Sequence, residues 1–433
     1  MRLTRLWVVL AVLNVVPLWH EPYAVADSGN EAGQLREEIR RLREENERSR
    51  QRMEELERKV EQLETKDEQK QTELQGTVAK EVEKQASAAP RRYLERYFGE
   101  NRFVLTGWGA ASYEWQRNPN TNTFTATLAP ILLYRMTDRV LFEAEPEFEL
   151  KDDGDTEVNL EYAQADIFLN DYVTAVGGKF LLPFGEFIEQ LHPAWINKLV
   201  SAPLPFREPE DGGLLPYSNT GFQMRGGAQL FDREGLDIAY NVYIANGPRF
   251  DSDEVGALLN PNNIDNNRGK GYGARLALYP LPLDNPVGRV MLGASTFDGK
   301  WDDSGDFWFT SWGLDLAYQI AELEVRAEYV RTQREMAADV GDDDREGWYV
   351  QAAYKLARVA VPYLDRLELV GRYAGVNQRA VTDEELVPHP RQVALGFDYW
   401  LTPSIAWKLE YDRDLPEDAP NDDAVRTQIA VGF

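Results

Sequence analysis

The chain is 433 residues long, contains no cysteine, and sets 73 acidic residues against 47 lysines and arginines, a formal charge of −26. The lack of cysteine excludes a disulfide framework, thiol catalysis and cysteine metal sites. The acid excess argues against a nucleic-acid partner, because phosphate contacts need lysine and arginine gathered on a basic face.

The first 26 residues have the make-up of a secretory signal: Arg2 and Arg5, an apolar core from Leu6 to Leu18, and the small-x-small tripeptide Ala24-Val25-Ala26. Cleavage there would start the mature chain at Asp27. The apolar core is shorter than the roughly 20 residues that a helix needs to cross a bilayer. No later stretch approaches that length, so no transmembrane helix is expected. Crossing by strands, whose alternation keeps mean hydropathy low, fits the value of −0.50 as well as a soluble exported protein does.

Residues 27–90 are expected to form a periplasmic helical coiled coil and linker. Leu35, Leu42, Leu56 and Leu63 fall at heptad position d, and Ile39, Met53, Val60 and Leu74 at a. Asn46 at an a position is of the kind that sets register and strand number. One such helix cannot bury its stripe alone, so the seam predicts self-association. Ser49, Asp67 and Lys70 weaken it, and a disordered charged linker is the alternative. At 1.5 Å per residue the rod would be on the order of 70 Å long, enough to serve assembly, spacing or contact with the cell wall.

After Pro90 the composition changes to aromatics and glycines in alternating strings, which places a domain boundary there. Sixteen period-2 segments follow within 91–433: 102–116, 122–136, 139–150, 157–169, 172–181, 219–231, 235–246, 270–279, 287–297, 307–320, 322–333, 346–357, 366–376, 391–400, 404–413 and 424–433. Their connections alternate between short turns, such as Thr137-Asp138 and Asn170-Asp171, and long charged loops, above all 182–218. The expected fold is all-β: a 16-stranded antiparallel transmembrane β-barrel preceded by the α-helical coiled-coil segment. An even strand number and loops segregated to one end are what a closed single-chain barrel in an outer membrane requires.

Alternation also separates two faces. Trp312, Leu314, Leu316 and Tyr318 oppose Ser311, Asp315 and Gln319, and Trp407, Leu409 and Tyr411 oppose Lys408, Glu410 and Asp412. In a membrane barrel the apolar set faces lipid and the polar set the lumen. Pro146 cannot donate to a ladder, so a bulge is expected in the third segment. The last segment alternates through Ile429 and Val431 to a terminal Phe433, resembling the C-terminal strand that the barrel-assembly machinery recognises.

The arrangement resembles the sixteen-stranded outer-membrane porins. The stretch Val176-Gly177-Gly178-Lys179-Phe180-Leu181-Leu182-Pro183-Phe184-Gly185, followed by Leu191-His192-Pro193, resembles the phosphate-selective porin O and P superfamily. That resemblance implies a homotrimer in the bacterial outer membrane, among lipid and lipopolysaccharide, with the loop after the fifth strand folded into the lumen. It also implies passive diffusion of small hydrophilic or charged solutes, and a stalk in the periplasm. A structural tether or adhesin with a plugged barrel is the alternative.

The candidate constriction loop 182–218 carries Glu186, Glu189, Lys198, Arg207 and Glu208 among apolar residues that a solvated loop would not need. The inward wall candidates are Glu143, Glu145, Glu147, Arg225, Arg275, Arg326, Arg372, Lys408 and Arg426. Loop carboxylates facing wall arginines would make a mixed-charge constriction with a transverse field. Only three histidines are present, and His192 and His389 each adjoin proline, so no metal site, cofactor or catalytic triad is expected.

Overall fold

The computed structural model describes residues 37, 40, 102–118, 120–150, 154–230, 236–250, 258–259, 265–282, 285–337, 341–359, 361–378, 390–415 and 422–433. The chain divides into two units, Met1–Gly76 and Thr77–Phe433. In the first, Glu37 and Arg40 are helical, and their side chains meet at 3.6 Å, the spacing of neighbours one turn apart. The expected signal peptide, the heptad seam and His389 lie outside the described residues.

Eighteen strands are described in the second unit. They are β1 (Phe103–Gln116), β2 (Thr121–Thr137), β3 (Val140–Leu150), β4 (Thr156–Phe168), β5 (Thr174–Leu181), β6 (Ser218–Leu230), β7 (Leu236–Asn246), β8 (Arg249–Phe250), β9 (Leu258–Leu259), β10 (Lys270–Tyr279), β11 (Arg289–Lys300), β12 (Trp308–Ile320), β13 (Leu323–Arg334), β14 (Asp343–Lys355), β15 (Leu367–Gln378), β16 (Arg391–Thr402), β17 (Ile405–Asp414) and β18 (Asp422–Gly432). Sixteen of them form one closed antiparallel barrel in which each strand pairs with its sequence neighbours and β18 returns to β1. β8 and β9 form a separate two-stranded hairpin within the connection from β7 to β10, which the alternation pattern did not reveal.

The seam shows how closure works. Phe433 donates its N–H to the Gly107 carbonyl and accepts the Gly107 N–H, both at 3.0 Å, and Thr106 Oγ1 also donates to the Phe433 carbonyl. A Cβ on Gly107 would stand 2.3 Å from the Ala129 carbonyl oxygen, at a φ of +147°. Only glycine fits that crossing of three strands.

Burial is inverted relative to a soluble protein. Phe124 (81% exposed), Phe222 (72%) and Leu314 (54%) point outward, while Asp398, Lys408 and Glu410 are each 1% exposed inside. Period-2 alternation sends one set to each side of the wall, and only an apolar surrounding makes this the favourable arrangement.

Proline shapes β2 and β3. Their ladder passes from the pair Leu128–Phe148 to the pair Leu132–Ala144, so that Pro130 and Pro146 stand opposite each other and neither has an N–H to offer. On the other edge of β3, Glu145 pairs with Tyr162 and Pro146 with Leu160, which leaves Glu161 as the extra residue of a bulge. The bulge expected at Pro146 is therefore present, and it turns Glu161 into the lumen.

Candidate pore and its internal loop

β5 ends at Leu181, in mid-wall, and residues 182–217 fold back into the barrel before β6 resumes. Apolar contact holds them there. Leu182, Phe184, Phe187, Ile188, Phe206 and Leu215 pack against Tyr243, Phe297, Phe309, Val330 and Tyr349, which project inward from β7 and β11 to β14. At these wall positions the inner face is apolar too, because it meets protein and not water. Each fully buried phenyl ring contributes about 1.5–3 kcal/mol.

Wall carboxylates fasten the loop backbone. Glu328 accepts the N–H groups of Glu186 (3.1 Å) and Phe187 (2.9 Å) together with the Tyr349 hydroxyl (2.7 Å). Glu410 accepts the N–H of Val200 (2.6 Å) and the N–H and hydroxyl of Ser201 (2.9 and 2.6 Å). Arg372 donates to the Ser201 carbonyl (2.8 Å) and hydroxyl (2.6 Å) and lies 3.7 Å from Glu410, with both side chains wholly buried. Lys408 donates to the Asn197 carbonyl, Lys198 pairs with Glu368 at 2.8 Å, and Arg326 pairs with Glu186.

This placement corrects the transverse field expected of wall arginines across an opening. Arg275 makes a two-pronged pair with Asp315 at 2.6 and 2.8 Å, Arg225 pairs with Asp166 and lies 3.7 Å from Glu143, and Arg326 touches the loop directly. Their charge is neutralised within the packed wall. Arg372 and Lys408 are sealed beneath the loop, and Glu145 is buried against the Trp108 indole N–H at 2.8 Å. Among the described residues the loop acid Glu189 makes no ion pair, and burial pushes its carboxyl up against the attraction of Arg225 and Arg275.

Open space lies on the opposite side of the loop, toward β1 to β4 and β18. A cavity of about 520 Å³ runs there between Arg207 and Glu208 of the loop and a wall bearing Glu147 and Arg426. Glu149 and Glu161, inward acids by the alternation of their strands, and Asp211 of the loop line it as well, together with Glu114, which the sequence did not single out. Arg426 bridges Glu114 at 2.7 Å and Asp412, so acids dominate the lining. Over β11 to β14, Phe250 of β8 packs on the inner wall against Phe309 and Trp301. The Arg334 guanidinium there lies 4.3 Å from the Phe250 ring and 5.2 Å from Trp301, and pairs with Asp343 at 3.0 Å.

Solved structures share this architecture. OmpTdeltaL8, the loop L8 deletion mutant of OmpT, an outer membrane protein of Vibrio cholerae, has a TM-score of 0.51 at 13% identity, over 76% of this chain and 99% of that one. An anion-selective porin from Comamonas acidovorans gives 0.51 at 14%, over 76% and 99%. Salmonella typhi OmpF, solved in complex with daunomycin, gives 0.50 at 13%, over 76% and 97%. The fold is a porin fold. No protein-family model and no curated protein matches the sequence, so the likeness to the porin O and P superfamily rests on the 176–185 stretch and its sequel.

Among the described residues no group of three or more His, Asp or Glu side chains is arranged to hold a metal. His192 lines the passage from the loop side. Burial pushes its imidazole down to about 4, against a smaller opposing effect of the Ile188 backbone. The fold thus favours the neutral ring. The associated stability is complete above the ordinary value of 6.5 and is lost as pH falls toward 4, up to ~3 kcal/mol in all. His192→Phe is expected to flatten the pH dependence of the urea midpoint between pH 7 and 4. An unchanged slope would exclude His192 as its source.

Proposed function

We propose that the chain is a porin of the bacterial outer membrane, through which small hydrophilic solutes diffuse between the internal loop and the wall formed by β1 to β4 and β18. One observation carries the reading: a closed barrel with an apolar exterior encloses a polar cavity that the loop narrows without filling. Planar-bilayer recording of the folded protein tests it, and ohmic steps are the expected result. A correctly folded barrel that passes no current would sink the reading.

The acids around the passage favour cations, in contrast to the anion preference that the porin O and P resemblance implies. A carboxylate about 8 Å from a monovalent ion in water-like surroundings contributes about 0.5 kcal/mol, roughly a factor of two. Each carboxylate favours the cation and disfavours the anion by that factor, so joint replacement Glu147→Gln and Glu149→Gln is expected to lower the cation-to-anion permeability ratio about sixteenfold. Reversal potentials in a salt gradient measure it, and an unmoved potential removes these two residues from the path.

A second reading, a tether or adhesin with a plugged barrel, is favoured by the apolar fill beneath the β8–β9 hairpin. The same recording separates the two. Homotrimer formation, lipopolysaccharide contact and recognition of the Phe433 strand by assembly machinery belong to the porin reading, and a periplasmic stalk that touches the cell wall suits either.

A further inference from the structure

A second cavity, of about 300 Å³, lies where the loop faces β13, β14 and β16. Glu324 stands just after the turn that opens β13, and Trp400 just before the end of β16, so this cavity sits in the half of the barrel that bears the short connections. Its apolar walls are Phe187, Leu191, Trp195 and Ile196 from the loop, with Tyr349 and Trp400 from the barrel. The polar groups on it are Asn197, Lys198, Glu324, Arg326 and Gln351.

The charged groups are already matched. Arg326 is held by Glu324 at 2.8 Å and by Glu186, and Lys198 by Glu368 at 2.8 Å. An incoming ion of either sign would have to compete with an intact pair. What remains unused is hydrogen-bonding capacity. The Gln351 carboxamide and the Trp195 indole N–H have no partner among the described residues, and the paired carboxylates keep further lone pairs. Indole and phenol walls beside unspent donors and acceptors suit a solute with an apolar face and a polar rim.

We propose that this cavity is a binding subsite for a neutral hydroxylated ring, a mono- or disaccharide. The C–H face of the sugar lies against Trp195 and Trp400, and its hydroxyls meet Gln351, Glu324 and Arg326. As a step in solute passage the subsite rests on the porin reading. As a binding site it does not.

Calorimetric titration of the full folded chain in detergent with maltose, sorbitol and benzoate tests this. Saturable binding of maltose, and weak or no binding of sorbitol, which has the hydroxyls without the ring face, is expected. Trp400→Ala is expected to abolish the maltose signal, Trp400→Phe to keep part of it, and Gln351→Ala to weaken it about fivefold, as for one lost hydrogen bond. Gln351→Ala leaves the aromatic packing intact and so keeps the test valid if Trp400→Ala fails to fold. Absence of saturable maltose binding, equal binding of sorbitol, or benzoate binding that exceeds maltose and disappears in Lys198→Gln would each overturn the proposal. The last outcome would make the site one for aromatic anions, served by Lys198 and Lys355, whose ammonium groups lie 6.0 and 5.8 Å from the Trp400 ring. Current steps without maltose binding would defeat the subsite alone, and maltose binding without current would defeat the porin reading alone.

Discussion

Glu410→Ala is expected to destabilise the barrel by about 3–5 kcal/mol and to raise its single-channel conductance. The carboxylate holds three donors of Val200 and Ser201, and its removal leaves the Arg372 guanidinium buried with no counter-charge. Breaking a buried pair from one side costs far more than the pair itself is worth, because the remaining charge is desolvated and uncompensated. The lost bonds also free Val200 and leave Ser201 held by Arg372 alone, so the loop loosens and the passage beside it widens. The urea midpoint of the heat-modifiable gel shift reads the first effect and bilayer recording the second. The double variant Glu410→Ala with Arg372→Ala is expected to recover part of the stability and none of the loop closure. A single variant with wild-type midpoint and conductance would show that the anchor holds nothing.

Deletion of Phe433 is expected to lower the yield of folded barrel roughly tenfold, an effect of two backbone hydrogen bonds worth about 1–3 kcal/mol together. Both bonds run to Gly107, at the point where the first and last strands meet. Phe433→Leu keeps the backbone pairing and is expected to fold in vitro nearly as well as the parent, since the ring is 53% exposed on the outer surface. A deletion that refolds normally from urea would show that closure needs only the earlier β1–β18 pairs, from Trp108–Gly432 onward. Gly107→Val supplies an independent check, because its side chain collides with the Ala129 carbonyl oxygen whatever happens at the terminus.

Much of the fold was legible in local pattern. A strand needs only alternation within its own residues, so β10 lies at 270–279 as the sequence reading placed it, and the other barrel strands lie within a few residues of their expected bounds. Pro146 announced its bulge because an absent N–H is a property of one residue. The inward direction of the acids on β3 followed from period 2 in the same way. The opposing Pro130 and the place of Glu161 as the extra residue of the bulge did not, since both depend on which residue stands across the ladder. The β8–β9 hairpin escaped because two-residue strands carry no period.

What the amino-acid sequence determined by itself is the barrel: strand number, antiparallel order, the outward apolar face and the closing strand, all set by short-range alternation and turn chemistry. Tertiary structure decided the lumen. Glu410 meets Val200 across 210 positions, Glu328 meets Phe187 across 141, and Arg326 meets Glu186 across 140. Which arginine is neutralised in the wall, which is sealed beneath the loop and which borders open space depends on those distant encounters. Alternation can say that a charged side chain points inward, but only the packing of the loop decides whether it meets water or a partner.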